Sequence, residues 1–444
     1  MRKSQFSLFK SRKFLPLFVT MFLGAFNDNF FKSAMVILIT YRLADESGID
    51  ARIAVTAAAG IFILPFVLFS AIAGQMADKY ERSSLVRKIK ILEIAVMGGA
   101  VAGFYAGSVW LLMTILFLMG AQSALFGPLK YSILPQHLET GDLIGANALI
   151  EMGTFLAILL GTIFGGVFVL GEWGLVAVSF LVVGIATLGW AASIFIPPTR
   201  VIDPFLEFRF NVFNETWKLM KNVWPRRDIF LSIIGISWFY FVGTMFLSQF
   251  PTYAKMVIGA DEMVATLFLT VFSVGIGAGS LACNGLLKGE VSGKYVPWAA
   301  LGIAASSVLL YFASIRGSAA EGALMTIGQF VRFPRNIAVL SCLLAISFFG
   351  GLYIVPLYAI IQSRSGEEHL AGVTACTNIT DSAFMVLSSL AAAAMLRAGF
   401  TIPQIFLVTA ALTIVASFVI RAAVREQMRK NEEVSPIKSE DVAK

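Results

Sequence analysis

Charge is scarce in this chain. Asp, Glu, Lys and Arg make up 14% of its 444 residues, where a soluble globular chain carries about a quarter. That deficit leaves too little polar surface to coat a water-soluble body of this size. Histidine is rarer still. His137 and His369 both fall in polar stretches, and neither is spaced with cysteine as a metal site requires. The three cysteines, Cys283, Cys342 and Cys376, lie inside apolar runs, so no disulfide framework follows. A Walker-type phosphate loop is missing, so direct ATP drive has no support. No histidine falls within an apolar run, and neither has an aspartate at catalytic spacing, which argues against a membrane-embedded acyltransferase. No cofactor is expected, and the protein is not expected to be an enzyme.

What the chain has instead is apolar length. Hydrophobic residues make up 58%, and the mean hydropathy is +0.81. At roughly 20 apolar residues per crossing, the length allows some twelve spans. Apolar windows between charged or turn-rich breaks place them at 14–41, 53–77, 89–107, 109–135, 143–170, 173–196, 229–254, 263–287, 296–314, 337–362, 370–396 and 401–421. The basic start (Arg2, Lys3, Lys10, Arg12, Lys13) imitates a signal peptide. The apolar stretch after it runs too long for one and carries Asp28 and Lys32 midway, so it reads as a retained first helix.

Orientation follows from lysine and arginine. With the N-terminus inside, 25 of the 34 cations fall in cytoplasmic segments and 7 outside, while Lys32 and Lys130 lie within spans. That bias predicts both termini in the cytoplasm. It also accounts for the net charge of +7 without nucleic acid. The longest internal loop, Pro197 to Asp228, separates six spans from six. Within it Phe213, Trp217, Met220 and Trp224 recur at helical spacing opposite Lys218 and Lys221, the pattern of a helix lying on the membrane surface. The expected organisation is a six-helix unit over 1–196, a cytoplasmic linker over 197–228, a second six-helix unit over 229–421, and a polar tail over 422–444.

The two units repeat one another. Pro128-Leu129-Lys130-Tyr131 ends span four, His137 follows, and span five carries Asn147 and Glu151. Pro356-Leu357-Tyr358 ends span ten, His369 follows, and span eleven carries Asn378 and Asp381. The offsets are 228 to 232 residues. Two parallel six-helix halves joined by a cytoplasmic linker form the layout of major facilitator transporters. Gly74-Gln75-Met76-Ala77-Asp78-Lys79 through Arg82 resembles that superfamily's signature loop between helices two and three. There glycine admits a close helix approach, and the aspartate and cations (Asp78, Lys79, Arg82) can latch a cytoplasmic gate. The counterpart from Gly277 to Lys288 is degenerate and lacks the aspartate. The fold class expected is therefore all-α, twelve transmembrane helices in two pseudo-symmetric halves.

A narrower resemblance lies in three stretches, Gly24-Ala25-Phe26-Asn27-Asp28-Asn29, Pro128 through Pro135, and Gly145-Ala146-Asn147-Ala148-Leu149-Ile150-Glu151. They resemble the bacterial lysophospholipid transporter (LplT-like) family, above all versions fused to acyltransferase and acyl-ligase domains. The resemblance spans the membrane region and implies import of lysophospholipids, chiefly lysophosphatidylethanolamine, across the inner membrane. It further implies a separate acyltransferase partner, since the chain ends in a polar tail. The chain departs from the family at Asp381, where glutamate is usual, and in 229–254, which has no charge where some members carry arginine. Lys32 is the candidate replacement for that cation. A monomer is expected.

Ionisable groups within the membrane normally face a cavity or a partner. If helix one enters near Pro16, Asp28 lies about 18 Å deep, close to mid-membrane. Lys32 sits one turn on and Asn29 beside it. The pair reads either as self-neutralised scaffolding or as a headgroup site with Lys32 on phosphate and Asp28 on amine. Lys130 lies within snorkelling reach of the interface and can also pair with Glu151. Asn147 with Glu151, and Asn378 with Asp381, share helix faces and are expected to line a central cavity. Glu93 reads as a local partner of Lys90 and is set aside. The rival to lysophospholipid transport is proton-coupled export of drugs or small organic molecules, with Asp28, Glu151 or Asp381 as the proton carrier.

The topology is directly testable. Reporters fused after residue 13, within 200–227 and after residue 425 should all read as cytoplasmic. An external signal from 200–227 would break the twelve-helix scheme.

Overall fold

The protein is described by a computed structural model over residues 4–43, 50–209, 211–315 and 324–434. The spanning helices are α1 (Leu15–Leu38), α2 (Ala51–Lys79), α3 (Arg82–Ala106), α4 (Val109–His137), α5 (Leu143–Phe168), α6 (Gly174–Ile194), α7 (Arg227–Thr252), α8 (Glu262–Leu287), α9 (Val296–Ile315), α10 (Pro334–Arg364), α11 (Leu370–Arg397) and α12 (Ile402–Val434). Among the described residues, eleven helices are long and apolar enough to cross a membrane. The apolar segment Ile402–Phe418 of α12 makes a shorter twelfth. The chain is thus a multi-pass, all-helical membrane protein.

Sequence punctuation explains the boundaries. Pro16 opens α1, where its missing N–H costs nothing. Ser108 caps α4 by accepting from the Leu111 amide at 3.3 Å, and Asp261 caps α8 through Val264 at 3.1 Å. Gly107 ends α3 at φ +59°, a conformation that favours glycine. Pro128 in α4 and Pro356 in α10 sit inside helices at corresponding places of the two halves. Such prolines are tolerated in membrane helices, where neighbouring groups re-satisfy the freed carbonyls.

Small residues set the packing. Gly161 and Gly165 of α5 face the α1 backbone at Phe26 and Phe30, and a Cβ on either would overlap it. Gly275 and Gly279 of α8 face α10 at Leu344 and Phe348 in the same way. Without a hydrophobic drive between helices in lipid, close backbone approach is what holds such pairs. Across the halves, α5 packs on α8 and α2 on α11, as a pseudo-two-fold axis requires.

Two boundaries differ notably from the expectation. Helix α3 begins at Arg82 rather than 89, because Glu81 caps it, accepting from the amides of Ser83 at 2.9 Å and Ser84 at 2.6 Å. Lys90, at the edge of the span expected at 89–107 and included in the count of cytoplasmic cations, lies inside the bundle, 1% exposed. The tail expected over 422–444 is helical as far as Val434, and its last ten residues lie outside the described ones. The linker helix spans Val212–Val223. Trp217 and Trp224 are exposed, while Leu219 meets Gly372 and the Met220 sulfur lies 3.3 Å from the Cys376 sulfur. The side chain of Phe213 lies outside the described residues.

Glu81 also anchors the linker, accepting from the Thr199 amide at 2.8 Å and hydroxyl at 2.7 Å. Partial burial pushes its pKa up, but the donors of Thr199, Ser83 and Ser84 outweigh it and hold the carboxyl below its ordinary 4.5. A group with a depressed folded pKa stabilises fully above its unfolded value, and that contribution fades as pH falls through the folded one. Glu81→Gln should therefore cost about 1 kcal/mol at pH 7. In thermal melts of the detergent-solubilised protein, the gap to wild type should narrow below pH 4.5. A gap that grows in acid contradicts this account of the cap.

Candidate substrate cavity between the halves

A cavity of about 230 Å³ lies between the six-helix halves, bordered by α1, α2, α3, α4, α5, α7, α10 and α11. Its wall is mostly apolar, with Met21, Phe62, Phe66, Phe126 and Met385 among its residues. Four charged side chains reach it, Asp28, Lys90, Lys130 and Asp381. Each carboxylate is held by a serine hydroxyl of a neighbouring helix. Ser123 of α4 donates to Asp28 at 2.6 Å, and Ser237 of α7 donates to Asp381 at 2.6 Å. The two halves thus present one clamped acid apiece.

Aromatic rings form the floor. Tyr131 and Tyr358, from the repeated segments that end spans four and ten, stack with centroids 4.3 Å apart and planes 13° from parallel. The Tyr131 hydroxyl donates to Glu151 at 3.0 Å, and the hydroxyls of Tyr240 and Tyr358 lie 3.3 Å apart. The Lys130 ammonium sits 4.6 Å from the centre of the Tyr131 ring, a cation–π contact suited to a charge away from bulk water.

Beyond the floor, toward the end of the bundle that carries the linker, the halves are closed. Asn147 and Gln362 exchange reciprocal amide bonds at 2.6 and 3.1 Å. Gln5 reaches the Leu281 carbonyl at 3.4 Å. A Cβ on Gly74 would lie 3.1 Å from that of Ala375, which marks how closely α2 meets α11. Arg82, wholly buried, donates to the carbonyls of Ala77 at 3.0 Å and Ser132 at 2.8 Å. It also pairs with Asp78 at 3.4 Å and reaches the Glu367 carbonyl of the other half at 3.5 Å. Lys79 instead donates to the linker at the Leu206 carbonyl, 2.8 Å away.

The candidate residues therefore separate. Asp28, Lys130, Asn378 and Asp381 meet in the cavity. Asp28 and Lys32 form no ion pair within 4 Å among the described residues. Asp28 turns to Ser123 on α4, whereas the Lys32 ammonium turns to α2 and lies 5.3 Å from the Phe62 ring centre. Asn29 donates back to the Ala25 carbonyl at 2.8 Å and does not border the cavity. Nor do Asn147 and Glu151, the first being held by Gln362 and the second by Tyr131. Lys130 likewise forms no ion pair with Glu151 within 4 Å. Conversely, Lys90, Gln122 and Ser123 border the cavity although none stood among the candidates. The pairing of Lys90 with Glu93 holds, at 2.6 Å. The signal that places it inside the bundle is Glu81-Arg82-Ser83-Ser84, a helix start that sets Lys90 about 12 Å along α3.

Residues 17–328 match the Major Facilitator Superfamily. The chain belongs to that superfamily. It is 28% identical over 389 residues to the lysophospholipid transporter LplT of Cronobacter sakazakii, a match covering 86% of this chain and 88% of that one. It is 27% identical over 385 residues to the lysophospholipid transporter LplT of Salmonella enteritidis, covering 85% and 86%. Among solved structures, the human organic anion transporter MFSD10 (TETRAN) superposes with a TM-score of 0.71 at 13% identity, over 92% of this chain and 99% of that one. The E. coli fucose:proton symporter FucP gives 0.66 at 13% identity, over 92% and 98%. These two likenesses bear on the fold alone. The signature loop, the halved repeat and the twelve-helix layout expected from the sequence are those of a major facilitator transporter, and the chain is a secondary transporter by family.

The close approach of Gly74 and Ala375 gives a test of the closed end. Disulfides need Cβ atoms about 3.5–4.5 Å apart, and this pair falls just short of that range. In a background lacking the native cysteines, Gly74→Cys with Ala375→Cys should cross-link on mild oxidation and arrest transport, with recovery on reduction. Full transport by the cross-linked protein would show that this end need not open.

Proposed function

We propose that this protein moves lysophospholipids, of the lysophosphatidylethanolamine type, across the bacterial inner membrane by alternating access, with both termini cytoplasmic. The observation that carries the reading is the cavity's pairing of a small charged chamber with an apolar wall. Asp28 and Asp381 offer anionic contacts and Lys130 a cationic one, as a zwitterionic headgroup requires. A volume of about 230 Å³ is smaller than the 300–1,000 Å³ of typical drug-sized sites. It takes a headgroup and leaves an acyl chain to lie along apolar helix surface or lipid. The relatives named lysophospholipid transporter support the same substrate class. A separate acyltransferase would consume the imported lipid on the cytoplasmic side.

In this scheme the closed end is cytoplasmic, and Arg82, Asp78 and the Tyr131–Tyr358 stack belong to the gate that must part for release. Gly74 permits the tight closure, and Lys79 fixes the linker beneath it. Asp28 meets the amine and Lys130 the phosphate, with Asn378 and Asp381 completing the chamber from the other half.

Proton-coupled export of organic molecules is the second reading, favoured by the two serine-clamped carboxylates facing one cavity. Competition in proteoliposomes separates the two. An acyl chain contributes about 0.8 kcal/mol per buried CH₂, so lysophosphatidylethanolamine should compete well, and glycerophosphoethanolamine, which lacks the tail, poorly. Asp28→Asn should lower lysolipid uptake at least tenfold, a loss of about 1.4 kcal/mol, while membrane insertion persists. Strong competition by the tail-less headgroup, or by cationic drugs with indifference to lysolipid, rejects the lipid reading.

A further inference from the structure

Lys90 is a cation inside a membrane bundle, and its surroundings are built around it. Its ammonium lies 2.6 Å from Glu93 and 4.9 Å from the centre of the Phe126 ring. On α1, a Cβ added to Gly24 would come within 2.5 Å of the same nitrogen. Glycine at that position is what leaves the ammonium its place. Glu93 is fixed in turn, accepting from Gln122 at 3.2 Å and from Asn27 at 3.2 Å as well as from Lys90. Gln122 adjoins Ser123, which holds Asp28. The Lys90–Glu93–Gln122 bonds and the Ser123–Asp28 bond therefore meet at adjacent residues of α4 on one cavity wall.

The donor count of Lys90 does not close. An ammonium has three N–H groups, and among the described residues it donates only to Glu93. Glu93, with three donors on its two oxygens, is already well satisfied. An incompletely bonded charge in a low-dielectric bundle is expensive unless a ligand or water completes it. The side chain also borders the cavity, so its remaining donors have a site to serve. A pair kept only for packing has no need to face the cavity.

We infer that Lys90 is an anion-contacting residue of this cavity, positioned by Glu93 and by the absence of a side chain at Gly24, and that it selects substrates bearing a phosphate. The inference rests on the lysophospholipid reading above and assigns the phosphate a second cation besides Lys130. Gln122 and Ser123, neighbours on α4, set that contact and Asp28 side by side, so headgroup anion and headgroup amine are held on one wall.

Equilibrium binding to purified, detergent-solubilised protein tests it, with two single-chain probes of equal acyl length. These are lysophosphatidylethanolamine and a monoacylglycerol, which lacks phosphate and amine. Lys90→Gln should weaken lysophosphatidylethanolamine at least tenfold and monoacylglycerol less than twofold. Because that variant leaves Glu93 without its cation, Lys90→Met with Glu93→Gln serves as the control. Removing both charges of a buried pair is often neutral for stability, so this variant should elute and melt like wild type while showing the same selective loss. Gly24→Ala, which changes no charge, should weaken the lysolipid severalfold by displacing the ammonium. Lysolipid binding undiminished in both Lys90 variants overturns the assignment alone. Equal losses for both probes reduce Lys90 to scaffolding and overturn it too. Failure of the wild-type protein to bind lysophosphatidylethanolamine overturns the substrate reading and this inference together.

Discussion

The cost of placing charge in a low-dielectric bundle governs the arrangement of this protein more than any other constraint. A lipid-facing helix gains nothing from burying leucine against leucine, so packing falls to close backbone contact at Gly161, Gly165, Gly275 and Gly279. Charges, by contrast, must find partners or a cavity. The bundle provides both. Glu93 takes Lys90, Phe62 and Tyr131 take the ammonium groups of Lys32 and Lys130, and serines take the two cavity acids. The charges that border the cavity keep incomplete partnerships there, and incompleteness is what a substrate can answer.

The same constraint explains which parts of the site were legible in the sequence. Hydropathy locates the spans because apolar length is the requirement for crossing, and the repeat survives as Pro128-Leu129 against Pro356-Leu357. Spacing along one helix was a poorer guide to side-chain partners. Asp28 and Lys32 stand one turn apart, yet each has a better partner on another helix, a hydroxyl in one case and a ring in the other. Asn147 and Glu151 also stand one turn apart, and they too diverge, toward Gln362 and Tyr131. Tertiary partners within a bundle outcompete exposed i,i+4 geometry, whose contribution is only a few tenths of a kcal/mol.

Lys90 shows the opposite failure. Arg82, Arg87 and Lys88 precede the span expected at 89–107, and Lys90 at its edge is counted with them among the cytoplasmic cations, because charge density is the usual mark of a cytoplasmic segment. The stretch is helical from Arg82 onward. Arg82 itself is wholly buried, with its guanidinium spread over carbonyls of both halves. Helix-capping chemistry at Glu81 carried the correct boundary, and hydropathy alone could not see it.

The position of Arg82 bears on how a chamber between two halves can open at one end without the bundle coming apart. Its planar fork of five donors is anchored on its own half at Ala77, Ser132 and Asp78, and among the described residues it bonds to the other half through the long contact to Glu367 alone. Separation of the halves at this end forfeits that single weak bond and leaves the anchored ones intact. The Asn147–Gln362 amide pair and the Tyr131–Tyr358 stack are stronger ties, but each joins uncharged groups, which water can replace at about 1 kcal/mol apiece. Under the proposed alternating access, neutral cross-contacts around a self-contained charged cluster let this end part without exposing an unpaired buried ion. Asp28, Lys90, Lys130 and Asp381 line the chamber itself, where opening brings them water and, on the proposed reading, occupancy brings them a headgroup.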